Sequence, residues 1–440
     1  MNQNAVSENQ KGLLFARGKN LRIGFVYALV GNLFYAFCQY GILIILVKKF
    51  SPETVGAFVY ALAFCTPVFQ AVDMQLRNLY IAEGNSAGRF NKYFTFRWFA
   101  GGIALAIVLT AAAFIKPGLW LIIAVIGVSK LIEAQLDMIY GVYQKEERQD
   151  ILVLSRVVRG IVSVVLVFIV ATLTQSLFLS LGSYVLSWAL MYFVYERRTI
   201  TQQHYVEKLS LVRLDKKDIS GFLKCGAPVI LTFLVDSYYF NCPRYFIERH
   251  MGLSLLGVFA SLMYFKYIGG QIISSLGQVA IPSLAKNFQT GRIDLFKKTL
   301  GKLLLVGLGV GLLTVAVSVC WGEQILRLVY NEQYAEHSYV LVLIMAGSTL
   351  TFMYGLMGTA FSSMQYQWAK LPIHVVSFAV MIGLLAFQRN PTLESTCINI
   401  VGTELLMLVL YGAVLIKKLN SLKQQTHVWT LKPATVEAAS

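Results

Sequence analysis

Apolar residues fall in runs of about 20 or more along the whole chain, the length a helix needs to cross roughly 30 Å of hydrocarbon. The pattern predicts spans at about 21–47, 54–81, 94–114, 118–143, 151–171, 175–195, 219–247, 252–281, 299–320, 335–363, 369–388 and 395–416. Short polar turns separate them, except for a longer charged connection from Glu196 to Ser220. The reading is an all-α polytopic membrane protein of twelve transmembrane helices. Residues 1–205 are expected to form an N-terminal six-helix bundle, 206–218 a cytoplasmic linker, 219–417 a C-terminal six-helix bundle and 418–440 a cytoplasmic tail. Val55-Gly56-Ala57-Phe58 opens the second span as Leu256-Gly257-Val258-Phe259 opens the eighth. A match at those places fits two repeated halves, a common transporter plan.

Composition agrees with the hydropathy pattern. Of 440 residues, 57% are hydrophobic and 14% charged, far from an average soluble domain. The formal net charge of +16 would suggest nucleic acid in a soluble protein. Here it reads as topology, because basic residues collect in cytoplasmic loops. The 38 Lys and Arg divide roughly four to one between alternate connections, which places both termini in the cytoplasm. Lys11, Arg17, Lys19 and Arg22 lead that bias at the start of the chain. No cleavable signal peptide is expected, since Met1–Asn20 is polar and leads straight into a long span. Cys38, Cys65, Cys225, Cys242, Cys320 and Cys397 lie in or beside apolar runs without CxxC spacing and are expected to be buried thiols.

Charges inside apolar spans are costly, so those that remain usually face the bundle interior or water. Asp73 and Arg77 stand one helical turn apart in the second span, beneath Pro67. They can pair on one face, in a helix that Pro67 can kink, either as an internal salt bridge near the cytoplasmic end or in a functional role. Lys130, Glu133 and Asp137 follow at i, i+3 and i+7 in the fourth span and continue through Tyr140 and Gln144. That stripe suits either a cavity lining or interhelical salt bridges. The seventh span carries Asp236 and Arg244 with Tyr238, Tyr239, Asn241, Pro243 and Tyr245, and the eighth carries Lys266 between Tyr264 and Tyr267. Arg and Lys suit an anionic head group such as diphosphate, and tyrosines suit sugar rings. The alternative for this stretch is a structural Asp236–Lys266 ion pair, and Pro243 beside Arg244 suggests a broken helix. Glu404 and His374 stand alone in their spans, which favours satisfied interhelical hydrogen bonds. Gly269 and Gly270 are expected to permit close packing. Walker A, HExxH and metal-spaced His/Cys patterns are absent from the sequence, so neither an enzyme nor a bound cofactor or metal is expected.

Three segments carry a family resemblance: Ser51-Pro52-Glu53-Thr54-Val55-Gly56-Ala57-Phe58; then Pro67-Val68-Phe69 with Gln75-Leu76-Arg77-Asn78; and the stretch from Lys130 to Gly160. The last holds Lys130, Glu133, Asp137, Tyr140-Gly141, Gln144, Glu147-Arg148, Asp150 and Arg159-Gly160. Together they resemble Wzx-type polysaccharide flippases of the multidrug/oligosaccharidyl-lipid/polysaccharide exporter superfamily. The resemblance implies two six-helix bundles around a central cavity that opens alternately to either side. It further implies a location in the bacterial inner membrane and flipping of an undecaprenyl-diphosphate-linked oligosaccharide, an O-antigen or capsule precursor. A polysaccharide polymerase is an implied partner, and nucleic acid is not.

On this reading Arg77, Lys130, Arg244 and Lys266, with Tyr239 and Tyr264, bind substrate. Asp73, Glu133, Asp137 and Asp236 sense protons or sodium. The assignment of Arg244 and Lys266 rests on their chemistry rather than on a matched pattern. A drug or cation exporter of the same superfamily would share the fold, but its cavity should be acidic and aromatic without clustered cations. A membrane glycosyltransferase or polymerase usually needs a sizeable external loop, and none is expected here. A scaffold would leave the intramembrane charges without a reason.

Overall fold

The computed structural model describes residues 31, 33–83, 89–202 and 209–430, all helices and connecting turns. The basic segment at Lys11–Arg22, the start of the first span and the end of the tail lie outside the described residues. The contacts divide the chain into two units, Met1–Ser237 and Tyr238–Ser440. Ten described helical segments are long and apolar enough to cross a membrane. One of them, Phe233–Gln289, holds the later part of the expected seventh span and the whole of the eighth, with the interruption at Gly252. With the first helix, described over 33–49, the set is consistent with twelve spans, and the chain is a multi-pass membrane protein. Exposed apolar side chains such as Leu173, Leu305 and Phe387 are what lipid-facing helices present.

The first unit is built on α1 (33–49), α2 (Pro52–Asp73), α3 (Leu76–Ala82), α4 (Phe90–Ile115), α5 (Trp120–Lys145), α6 (Gln149–Thr174), α7 (Leu177–Leu190) and α8 (Arg197–Gln202). Ser51 caps α2 by accepting from the Thr54 amide, with Pro52 in the first turn where its missing N–H costs nothing. Pro67 lies inside α2, but the helix breaks lower down. Met74 and Gln75 both adopt left-handed backbone, φ 49° each, between α2 and α3. Two such non-glycine residues in succession are uncommon. An aromatic core of Tyr80, Phe90, Tyr93, Phe94, Tyr140, Tyr143 and Trp188 holds α3, α4, α5 and α7 together, with Ile151 and Leu152 of α6 packed into the same cluster.

The sixth span extends beyond the expected 175–195. A π-helical turn at Met191–Glu196 leads into α8, so Glu196 is a fully buried helical residue and does not begin the connection. The start of α9 (Lys216–Gln289) packs within this unit, Phe222 placing its ring 4.7 Å from that of Tyr93 and 4.9 Å from that of Phe96.

The second unit contains the remainder of α9, then α10 (Ile293–Val329), α11 (Glu332–Ala335), α12 (Ser338–Ser363), α13 (Lys370–Ala386) and α14 (Leu393–Thr430). Pro243 does not break α9. The interruption falls at Gly252, whose φ of 85° and ψ of 176° only glycine adopts readily. Small residues bring α10 onto α12: a Cβ at Gly307 would lie 2.7 Å from Leu356, and one at Gly311 would lie 2.5 Å from Thr349. This is the small-xxx-small spacing that allows close approach of membrane helices. Gly269 serves the same purpose against Phe352, while Gly270 faces open space. Of the thiols with described side chains, Cys65 and Cys397 are buried, Cys38 and Cys242 half-buried and Cys320 exposed. The expectation of burial fails at Cys320, which lies on an outward face of α10. The side chain of Cys225 lies outside the described set.

Candidate functional site

In the first unit the intramembrane charges form short networks. The helix break at Met74–Gln75 turns Asp73 and Arg77 apart, so the expected pair between them does not form. Arg97 on α4 donates to both the carboxylate and the backbone carbonyl of Asp73, the latter at 2.7 Å. It thereby satisfies the end of α2 that the break leaves open. Arg77 on α3 instead reaches α5, donating through Nη1 to Asp137 Oδ1 at 2.7 Å and through Nη2 to Gln144 Oε1 at 2.6 Å. Gly141 lies between these two partners, one turn from each, and a Cβ there would stand 3.1 Å from Arg77 Cγ. Lys145 Nζ donates to the carbonyls of Tyr80 and Glu83 at the end of α3. Lys130 pairs with Glu133 at 2.8 Å on its own helix. The stripe on α5 is therefore split between a local pair and an interhelical clasp.

A second cluster lies on α6 and α7. The Arg159 guanidinium is buried, 4.2 Å from the Trp188 ring centroid, 4.6 Å from Tyr35 and 5.5 Å from Tyr140. Such packing stabilises a desolvated cation through the ring faces. Glu196 accepts from Tyr143 Oη at 2.7 Å and from Ser155, whose hydroxyl also meets Tyr140 Oη at 2.9 Å. Sequence reasoning placed Glu196 in a connection. The apolar and aromatic run Met191-Tyr192-Phe193-Val194-Tyr195 just before it was the available signal that the helix continues.

In the second unit Lys266 on α9 pairs with Glu404 on α14, with side chains 8% and 2% exposed. Lys266 is thus committed to Glu404 in place of Asp236, and Glu404 is not isolated. Tyr239 is buried and donates to Thr403 Oγ1 at 3.4 Å. Arg244 donates to Asn241 Oδ1 at 2.7 Å and to Tyr267 Oη at 2.8 Å, tying the two arms of α9 across the Gly252 turn. Tyr264 packs edge to face on Tyr267, with ring centroids 5.7 Å apart. His374 Nε2 lies 2.7 Å from Tyr411 Oη, an interhelical hydrogen bond between α13 and α14. Asp236 falls in the first unit. No cluster of three or more His, Cys, Asp or Glu side chains with metal-holding geometry occurs among the described residues.

A family model described as "Polysaccharide biosynthesis protein" matches residues 21–288. The capsular polysaccharide biosynthesis protein CapF of Staphylococcus aureus is 26% identical over 327 residues, 73% of this chain and 81% of CapF. Among solved structures, the fold is similar to a multidrug resistance MATE family transporter of the MOP superfamily in an inward-facing conformation. That match has a TM-score of 0.72 at 14% identity and covers 89% of this chain and 96% of the other. A MOP superfamily transporter from Pyrococcus furiosus, for which a reversed polarity of the binding pocket is held to suggest a different function, matches with a TM-score of 0.63 at 15% identity. It covers 91% of this chain and 96% of the other. The fold is that of these transporters, and by the match across 21–288 the chain belongs to the polysaccharide biosynthesis protein family.

Proposed function

We propose that this protein flips an undecaprenyl-diphosphate-linked oligosaccharide, an O-antigen or capsule precursor, from the inner to the outer leaflet of the bacterial cytoplasmic membrane by ion-coupled alternating access. Both termini lie in the cytoplasm on this reading. The observation that carries it is the set of partly exposed cations retained in apolar helices. Arg77 and Lys130 have side chains 19% and 26% exposed, and Arg244 is half-buried. Each is oriented by a neighbour yet keeps a face for an anion, as diphosphate recognition requires.

Tyr264 and Tyr239 would supply ring faces and hydroxyls for the sugars. Lys266 is a reserve cation, since Glu404 must release it first. Asp73, Glu133, Asp137 and Asp236 are the carboxylates whose occupancy by protons or sodium biases the two cavity states. A coupling ion acts only through its different affinity for those states.

Complementation of a bacterium lacking its polysaccharide flippase tests the reading, scored by surface polysaccharide on a gel. Wild type should restore the polysaccharide, and Arg77→Ala and Lys130→Ala at matched expression should not. Failure of wild type in hosts with several different repeat units, with the protein present in the membrane, would favour drug export, the activity named for the MATE structures of this fold.

A further inference from the structure

The Lys266–Glu404 pair has features that a merely structural clasp does not need. Glu404 Oε1 takes the Lys266 ammonium, whereas Oε2 is buried without a hydrogen bond of its own; the Thr351 hydroxyl lies near this carboxylate but donates to the Gly347 carbonyl at 3.2 Å. Oε2 points at α12, where a Cβ on Gly347 would stand 2.6 Å from it. In this rotamer the carboxylate occupies the space that a side chain at position 347 would take. The pair borders a small cavity whose other walls include Met263, Leu343, Ile344, Ile400 and Val401. A buried carboxylate oxygen left unsatisfied is expensive, and a proton is the one ligand that would neutralise it without further donors.

We infer that Glu404 is a proton-binding site: a proton entering the cavity adds to Oε2, the carboxylate becomes a carboxylic acid, and the Lys266 ammonium is released with its own three protons. One proton is taken up and no other bond changes. The released ammonium is then a buried cation in need of an anion, so protonation and anion binding favour one another by reciprocal linkage. A sodium ion does not fit this place, because hard cations are held by sets of oxygen ligands. Glu404 supplies the only side-chain oxygens among the described residues lining the cavity.

The other titratable groups facing Glu404 are Tyr239 on α9, Tyr354 on α12 and Cys397 on α14 itself. His374 on α13 is turned to Tyr411. Lys266 is the one cation among these groups. The proton site stands without the flippase reading; only its use in coupling rests on that reading.

Infrared difference spectroscopy of the full-length protein in lipid nanodiscs, titrated with acid, reads the site without any transport assay. Wild type should gain one carboxylic-acid carbonyl band on acidification that Glu404→Gln lacks. Lys266→Met, which removes the counter-charge, should show that band at every pH studied. Lys266→Arg should keep the titration with a displaced midpoint. Identical titrations of wild type and Glu404→Gln would overturn the proposal. So would ionised Glu404 in Lys266→Met, or a band that follows sodium at fixed pH. The Lys266 variants read the same carboxyl if Glu404→Gln fails to fold.

Discussion

Arg77 and Asp137 lie 60 positions apart in the sequence and 2.7 Å apart in the structure, joining α3 to α5 through one arm of a guanidinium whose other arm holds Gln144. A planar fork suits two acceptors one helical segment apart, and an ammonium does not. Arg77→Lys should therefore lose one of the two bonds and lower the thermal stability of the detergent-solubilised protein by about 1–2 kcal/mol. A double-mutant cycle with Asp137→Asn should give a coupling of about 0.5–3 kcal/mol. Additive effects of the two substitutions would show that the clasp does not hold the helices.

Arg97 closes the broken end of α2. Arg97→Ala leaves the Asp73 carboxylate and carbonyl without the donor they now have, and, with the Asp73 side chain 40% exposed, should destabilise the first unit by about 1–3 kcal/mol. Protease accessibility around residues 74–76, measured on membranes, should rise in step. A variant as resistant as wild type would mean that the break is stable without Arg97.

These relationships also mark what the sequence can and cannot disclose. Hydropathy locates the spans because lipid demands an apolar outside and closed backbone bonding, and the boundaries of α4, α5, α6 and α13 follow it within a few residues. The break after Asp73 leaves no such mark: Met74 and Gln75 are ordinary residues in left-handed backbone, so pairing Asp73 with Arg77 by helical spacing fails. Pro243 carries the usual signal of a break, yet the chain turns at Gly252. Long-range partners are invisible to spacing altogether. Glu404 looks solitary because Lys266 lies 138 residues before it, and Glu196 looks like loop because it follows the apolar run and precedes Arg197-Arg198.

The packing of α10 on α12 rests on missing side chains. Gly311→Val would drive a branched side chain into Thr349 and should cost about 1–3 kcal/mol. Gly309→Ala, on the same helix with open space before it, should be neutral or slightly stabilising. Thermal unfolding of the two variants side by side checks the contrast, and equal losses would contradict the close approach.

Outside the membrane, Lys92 donates to both oxygens of Asp218, at 3.0 and 2.9 Å, and holds its carboxyl below the usual carboxylate range. A carboxyl depressed in the folded state stabilises above its unfolded pKa, and that stabilisation is lost as pH falls through the folded value. The pair is near the surface, so the contribution should stay under about 1 kcal/mol and shrink with salt. Asp218→Asn should flatten the acid limb of a stability-against-pH curve at low salt and leave neutral behaviour nearly unchanged. An unaltered acid limb would remove the pair from the ledger of pH-dependent contacts.

The central claim is movement of a lipid-linked oligosaccharide across the bilayer. Its most direct test is a proteoliposome assay in which a polyprenyl-diphosphate-linked oligosaccharide is loaded on both leaflets and its accessibility to an external glycosidase is followed. The expected result is cleavage of about half the substrate in empty vesicles, near-complete cleavage with wild type, and a much slower second phase with Arg77→Ala. Cleavage that stops at the same half with wild type as in empty vesicles, with the protein folded and correctly inserted, would contradict the flippase account.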